Sequence, residues 1–164
     1  MDGIRNIVGA ISLFALGLLL ALIPQSASSG SASGATQAGN NEPVPAFHSD
    51  APSAPLPATM DPALFDKPVV RNAYSVAAGI KKILYQQPCY CRCDRSHGHG
   101  SLLDCFVSNH TAGCGVCMQE VFYVYEQLHK DKTAAQIREG IEQGEWKQVD
   151  LKRYEAPLPA KQLP

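Results

Sequence analysis

The sequence predicts a small all-α domain of about four helices with an irregular Cys-rich loop, preceded by an N-terminal export or anchor helix and a disordered tether. Three observations predict it. After Pro68, apolar residues recur at three- and four-residue intervals in separate stretches, the period of one helix face. All six cysteines lie between Cys89 and Cys117. The chain before residue 66 is an apolar run followed by a stretch rich in Ser, Ala, Gly and Pro, and neither builds a core.

Residues 1–24 read as a signal peptide or an N-terminal membrane anchor. Arg5 precedes Ile7–Ile23, a run without charge that contains Leu18, Leu19 and Leu20. Its length falls between a secretory h-region and a full span of about 20 residues, so length does not choose between cleavage and retention. Ala27, Ser29, Ala32 and Ala35 would permit cleavage, and no Cys follows the run to accept a lipid. The next basic residue after Arg5 is Lys67, an asymmetry that sends the rest of the chain across the membrane. The expectation is a retained anchor and an extracytoplasmic domain, in the periplasm or cell envelope.

Residues 25–66 are expected to form a flexible tether, because so little apolar surface cannot offset the entropy of ordering it. Phe47, His48 and Phe65 are the residues expected to dock onto the domain. The domain itself is placed at residues 67–148. Its first helix carries Ala73, Val76, Ala77, Ile80 and Leu84 on one face and ends before Pro88. Ser101 and Asp104 have the spacing of a capping box and open a short second helix holding Cys105 and Phe106. A third helix starts at the cysteines, with Cys117, Val121, Val124 and Leu128 on one face. Thr133 and Gln136 form a second capping box, and Ile137 and Ile141 supply a fourth helix that Gly144 stops. The tail, residues 149–164, has prolines and no periodicity and is expected to be extended or disordered.

Fourteen basic residues against fifteen acidic ones give a net charge of −1, and the basic ones are scattered, so nucleic acid is not an expected partner. No Ser/His/Asp arrangement, phosphate-binding glycine loop or carboxylate pair stands out. A hydrolase or nucleotide enzyme is therefore not expected.

The chemistry lies in the cysteine window. Cys89, Cys91 and Cys93 alternate, so an extended segment would aim all three sulfurs the same way, and Tyr90 and Arg92 the other. Cys114 and Cys117 stand one turn apart at a helix N-terminus, where free N–H groups and the helix dipole favour thiolate. His99 and His110 fall in the same window. His97 reads as a solvated loop residue, His129 as a helix-end residue, Trp146 as packing, and His48 has no assigned role.

Pro88-Cys89-Tyr90-Cys91-Arg92-Cys93 resembles the motif of the PCYCGC proteins, exported bacterial proteins that are often lipoproteins, with Arg92 in place of the glycine. The resemblance continues from His99 to Phe106 and from His110 to Cys117, and implies no established activity. If the Arg92 position needs a positive φ, the local backbone must depart from the family pattern.

Three readings compete. Six thiols with His99 and His110 would supply two four-coordinate Cys₃His sites or a small Cu(I) cluster, and thiolate with imidazole favours copper or zinc. That ligand pool is Cys89, Cys91, Cys93, Cys105, Cys114, Cys117, His99 and His110. An exported chain with paired cysteines could instead hold a disulfide framework as a binding or structural domain. The third reading, ranked last, is a thiol–disulfide oxidoreductase working through Cys114 and Cys117, although no strand–helix alternation surrounds them. The sequence therefore favours a membrane-tethered metal-binding module that is not an enzyme.

Overall fold

The computed structural model describes residues 42–158. The expected export segment, the first part of the tether and the last residues of the tail lie outside the described residues. Those described form helices and irregular chain with no strand, and none of their helices is long and apolar enough to cross a membrane.

α1 (Pro68–Gly79) starts on a proline, whose missing N–H is one that a first helical turn leaves unpaired anyway. Its buried face carries Val70, Ala73, Tyr74, Val76 and Ala77. The expected single helix to Pro88 is broken: Ile80 leaves helical geometry at φ −112°, ψ 24°, and α2 (Lys81–Leu84) restarts at a new angle. Gly79 is the weak link, since glycine costs about 1 kcal/mol relative to alanine within a helix. The bend keeps both Ile80 and Leu84 in the core.

α4 (Gly115–Leu128) is the central element. It buries Cys117, Met118, Glu120, Val121, Phe122, Tyr123, Val124 and Tyr125, a ring of side chains rather than a stripe. A helix covered on all sides must be wrapped by its neighbours, and α1, α2, α5 (Ala134–Glu142) and several 3-10 segments pack on it. α5 has the expected capping box at Thr133 and Gln136, buries Ile137 and Ile141, and is followed by Gly144 at φ 79°. Gly140 lies where α5 meets α4. A Cβ there would run into the Tyr123 hydroxyl, so only glycine permits this approach.

The boundaries at both ends are wider than the periodicity marks. Between Glu42 and Phe65 the chain is mostly extended and lies along the domain. His48 stacks on Tyr85 at 3.8 Å, Phe47 lies under the Arg138 guanidinium, Phe65 stacks on Tyr74 at 4.2 Å, and the Met60 N–H donates to the Phe106 carbonyl. At the other end, the expected disordered tail is packed through residue 158. Val149 and Tyr154 are buried, a 3-10 turn spans Leu151–Tyr154, and Tyr154 stacks on Phe122 at 3.6 Å. Asn72 holds this tail by donating from Nδ2 to the carbonyls of Tyr154, at 2.8 Å, and Ala156, at 2.7 Å. Short 3-10 segments carry no 3.6-residue period, so one aromatic anchor does what a stripe does in a longer helix.

Candidate metal centre

Four short pieces of chain deliver the sulfurs and imidazoles. After α2, the backbone of Gln87 is pinned by the Leu102 N–H, at 2.9 Å, and its side chain donates to the Ile83 and Ala134 carbonyls. Pro88 then stops helix formation. The segment with the three alternating cysteines is a turn, not the expected extended comb: the Arg92 N–H donates to the Cys89 carbonyl at 3.2 Å, and α3 (Cys93–Ser96) begins at the third cysteine. The sulfurs converge all the same, because the turn folds them inward. Gly98, at φ 68°, brings the chain back so that the N–H groups of His97 and His99 both reach the Cys93 carbonyl.

The Asp104 carboxylate accepts from the N–H groups of Gly100 and Ser101, as the predicted box requires, and the 3-10 segment Leu102–Phe106 presents Cys105. The Thr111 hydroxyl donates to the Cys105 carbonyl at 2.8 Å and fixes the next 3-10 segment, Asn109–Gly113, which carries His110. Cys114 caps α4 and Cys117 lies one turn inside it.

All eight residues named from the sequence meet. Sγ–Sγ distances are 3.1 Å for Cys89–Cys91, 2.6 Å for Cys91–Cys93, 3.6 Å for Cys89–Cys117 and 3.2 Å for Cys114–Cys117. His110 Nε2 is 2.8 Å from the Cys93 sulfur and His99 Nδ1 is 3.3 Å from that of Cys105. All six cysteines are free thiols; Cys89, Cys93, Cys105 and Cys117 are buried and Cys91 and Cys114 half-buried. Four sulfurs around one tetrahedral ion at about 2.3 Å stand roughly 3.8 Å apart; the Cys89–Cys117 spacing of 3.6 Å is close to that, and the other sulfurs are packed more tightly. The donors fall into three groups whose atoms lie within 4.8 Å of one another: Cys89, Cys91, Cys105 and Cys117; Cys91, Cys93 and His110; Cys93, His99 and Cys105. This is a different partition from the two Cys₃His sites expected. The turn at Cys89–Arg92 puts Cys91 in two of these groups; Cys93 and Cys105 are also in two, whereas Cys114 belongs to none and lies beside Cys117.

The family model described as "Protein of unknown function with PCYCGC motif" matches residues 18–159. The chain belongs to the PCYCGC family. No curated protein and no solved structure matches it.

The motif's own geometry explains its glycine. In this PCYCGC chain the position is Arg92, which adopts left-handed backbone angles, φ 64° and ψ 29°. The turn is thus made with a side chain in left-handed geometry at the position where the motif has glycine. The strain of such a residue is on the order of 1 kcal/mol. The guanidinium lies over the Tyr90 ring and donates to the Pro43 carbonyl at 2.6 Å and to the Glu42 carboxylate at 2.9 Å, away from the sulfurs. Replacing Arg92 with glycine is expected to change stability by less than about 1 kcal/mol, relief of strain offsetting the lost contacts and the greater freedom of the unfolded chain. The same variant should become more sensitive to protease near residues 42–47. A larger loss in chemical unfolding would show that the arginine side chain itself holds the turn.

Electrostatics single out Cys91. Its thiol is pushed far down because Cys105, Cys114, Cys117 and Cys89 can all donate S–H bonds to it. The others move up: Cys89 chiefly because it donates to the cluster, beginning with Cys105, and Cys93, to about 12, first through burial. The downward shift expected at the start of α4 therefore falls on Cys91 instead. The Cys117 S–H, and after it the Cys117 N–H, favours charge on Cys114, but donation toward Cys91 and burial leave that thiol raised. Burial also lowers the His99 pKa, keeping the neutral imidazole that ligates metals.

Glu120 was not singled out in the sequence. It is fully buried beside Cys89 on α4, its Oε1 accepting the Tyr90 N–H at 2.7 Å while Oε2 has no partner, and burial pushes it up to about 8. The available signal was an acid one turn after Cys117 on a stripe otherwise apolar. His97 is exposed, as expected, yet its ring lies 4.6 Å from His110. His129 accepts its helix-end role through a 2.9 Å contact with the Tyr125 carbonyl.

Proposed function

We propose that this protein is an exported, membrane-tethered module that binds copper or zinc through its Cys/His cluster, and that it is a binding protein, not a catalyst. The observation that carries the reading is the convergence of five of the six thiols and two imidazoles into groups spaced for metal ligation. A disulfide framework needs sulfurs set apart in twos, whereas these share neighbours, and Cys89, Cys91 and Cys93 are too close in sequence to pair well with one another. Soft thiolate with imidazole selects Cu(I) or Zn²⁺ over the hard cations. The Cys114–Cys117 pair stands beside the other sulfurs and not alone in a redox site, which supports binding over thiol exchange.

Elemental analysis with non-reducing intact mass, on protein purified from its native compartment, tests this. Bound copper or zinc with fully reduced cysteines is the expected result. A metal-free protein whose mass has fallen by the hydrogens of three disulfides would replace the reading with the structural one. Fractionation with N-terminal sequencing tests the tether: a soluble product starting between Ser26 and Ala38 would mean a cleaved signal.

A further inference from the structure

We propose that the centre holds three metal ions in a ring, with the sulfurs of Cys91, Cys93 and Cys105 each bridging two ions, and that the ion suited to it is Cu(I). This rests on the metal-binding reading and specifies its site.

The three donor groups are not separate. The four-sulfur group shares Cys91 with the group of His110 and Cys105 with the group of His99, and the two histidine groups share Cys93. Each pair of groups has one cysteine in common, and no cysteine belongs to all three. Three ions at these positions need four, three and three donors. Seven residues supply ten contacts only if three of them are used twice, and the three shared residues are all cysteines. That is the chemically allowed choice, because a thiolate has several lone pairs and bridges readily, whereas one imidazole nitrogen binds one ion. Each histidine appears in a single group, on the outer side of the ring, with Nε2 of His110 toward Cys93 and Nδ1 of His99 toward Cys105.

Coordination number then chooses the ion. Two of the three positions offer two sulfurs and one nitrogen, a three-donor set that suits Cu(I) and leaves Zn²⁺, which takes four ligands, one short. Five ring thiolates against three monovalent ions leave a cluster of charge −2. It sits at the start of α4, where the unpaired N–H groups and the helix dipole favour negative charge. Cys114, outside all three groups, is not a ring member.

The test is an anaerobic titration of the reduced, full-length protein with Cu(I) against a competing Cu(I) chelator, read as ions bound per chain and by X-ray absorption. Three ions with a metal–metal vector in the absorption spectrum are expected. Cys93→Ser should fall to one ion, since that sulfur serves two positions, and Cys114→Ser should stay at three. His110→Ala, a half-buried edge residue, should fall to two and guards against a misfolded cysteine variant. One or two ions in the unaltered protein would overturn the ring while leaving the metal-binding reading intact; none would overturn both. Three ions retained by both His110→Ala and Cys93→Ser would place the copper elsewhere and overturn the ring.

Discussion

Adding a copper or zinc chelator to the metal-loaded, full-length protein is expected to lower its thermal midpoint by on the order of 10 °C or more, and a thiol reductant alone to leave it unchanged. The reason lies in how the centre is built. Cys89 and Cys91 come from a turn, Cys105 and His110 from 3-10 segments, and Cys117 from α4, so the ligands join pieces of chain with few hydrogen bonds between them. Without an ion, these pieces meet through single hydrogen bonds, such as Leu102 N–H to the Gln87 carbonyl, Thr111 to the Cys105 carbonyl and Tyr90 N–H to Glu120, and through S–H contacts among buried thiols that resist ionisation. Weak sulfur hydrogen bonds do not replace coordinate bonds. Metal that binds only the folded chain stabilises it by about 4 kcal/mol at a thousandfold excess over its dissociation constant, and a domain of this size converts each kcal/mol into several degrees. The disulfide alternative predicts the reverse, collapse on reduction and indifference to chelator. Scanning calorimetry with each additive in turn separates the two, and collapse on reduction alone would remove the metal from the folding account.

What the sequence disclosed, and what it hid, follows from the range of each interaction. Capping boxes at Ser101–Asp104 and Thr133–Gln136 are local, and both took the chain where they pointed. Ile137, Ile141, Val121 and Val124 followed the 3.6-residue period into the core. Seven of the eight residues named as ligand candidates fall in the donor groups, because residue type alone marks them, and Cys114 does not. The partition of the cluster was not legible, since which sulfurs are shared depends on a left-handed residue at Arg92 and on Gly98 doubling the chain back. Glu120 was passed over for a different reason: despite its place one turn after Cys117, an acid on a helix face reads as solvated until the segment carrying Tyr90 is laid over it. Docking of Phe47, His48 and Phe65 was expected and occurs, whereas the packed tail was missed because its anchor is a single residue, Tyr154, reached across a long stretch of sequence.

Truncating Phe122 to alanine is expected to cost about 3–5 kcal/mol, the usual range for a phenylalanine lost from a core. Phe122 has no exposed surface, and its ring lies at 3.6 Å and 7° to that of Tyr154. The loss therefore falls on α4 and on the tail together. Tyr154 would keep its hydroxyl bond to Glu126 and its carbonyl bond from Asn72, but not the face that holds it down. Domains of this kind have stabilities of roughly 5–15 kcal/mol, so the metal-free variant should stand near the edge of unfolding and be cut by trypsin at Lys152 and Arg153. The metal-loaded variant should recover, because binding at the start of α4 adds its free energy to the same folding equilibrium. Circular dichroism and limited proteolysis with and without metal read both effects. A variant as stable as the parent would mean that the tail does not pack on α4. Equal unfolding with and without metal would mean that the centre and the helix core do not fold as one unit, whereas rescue by metal would join them through the helix that begins at Cys114 and buries Phe122.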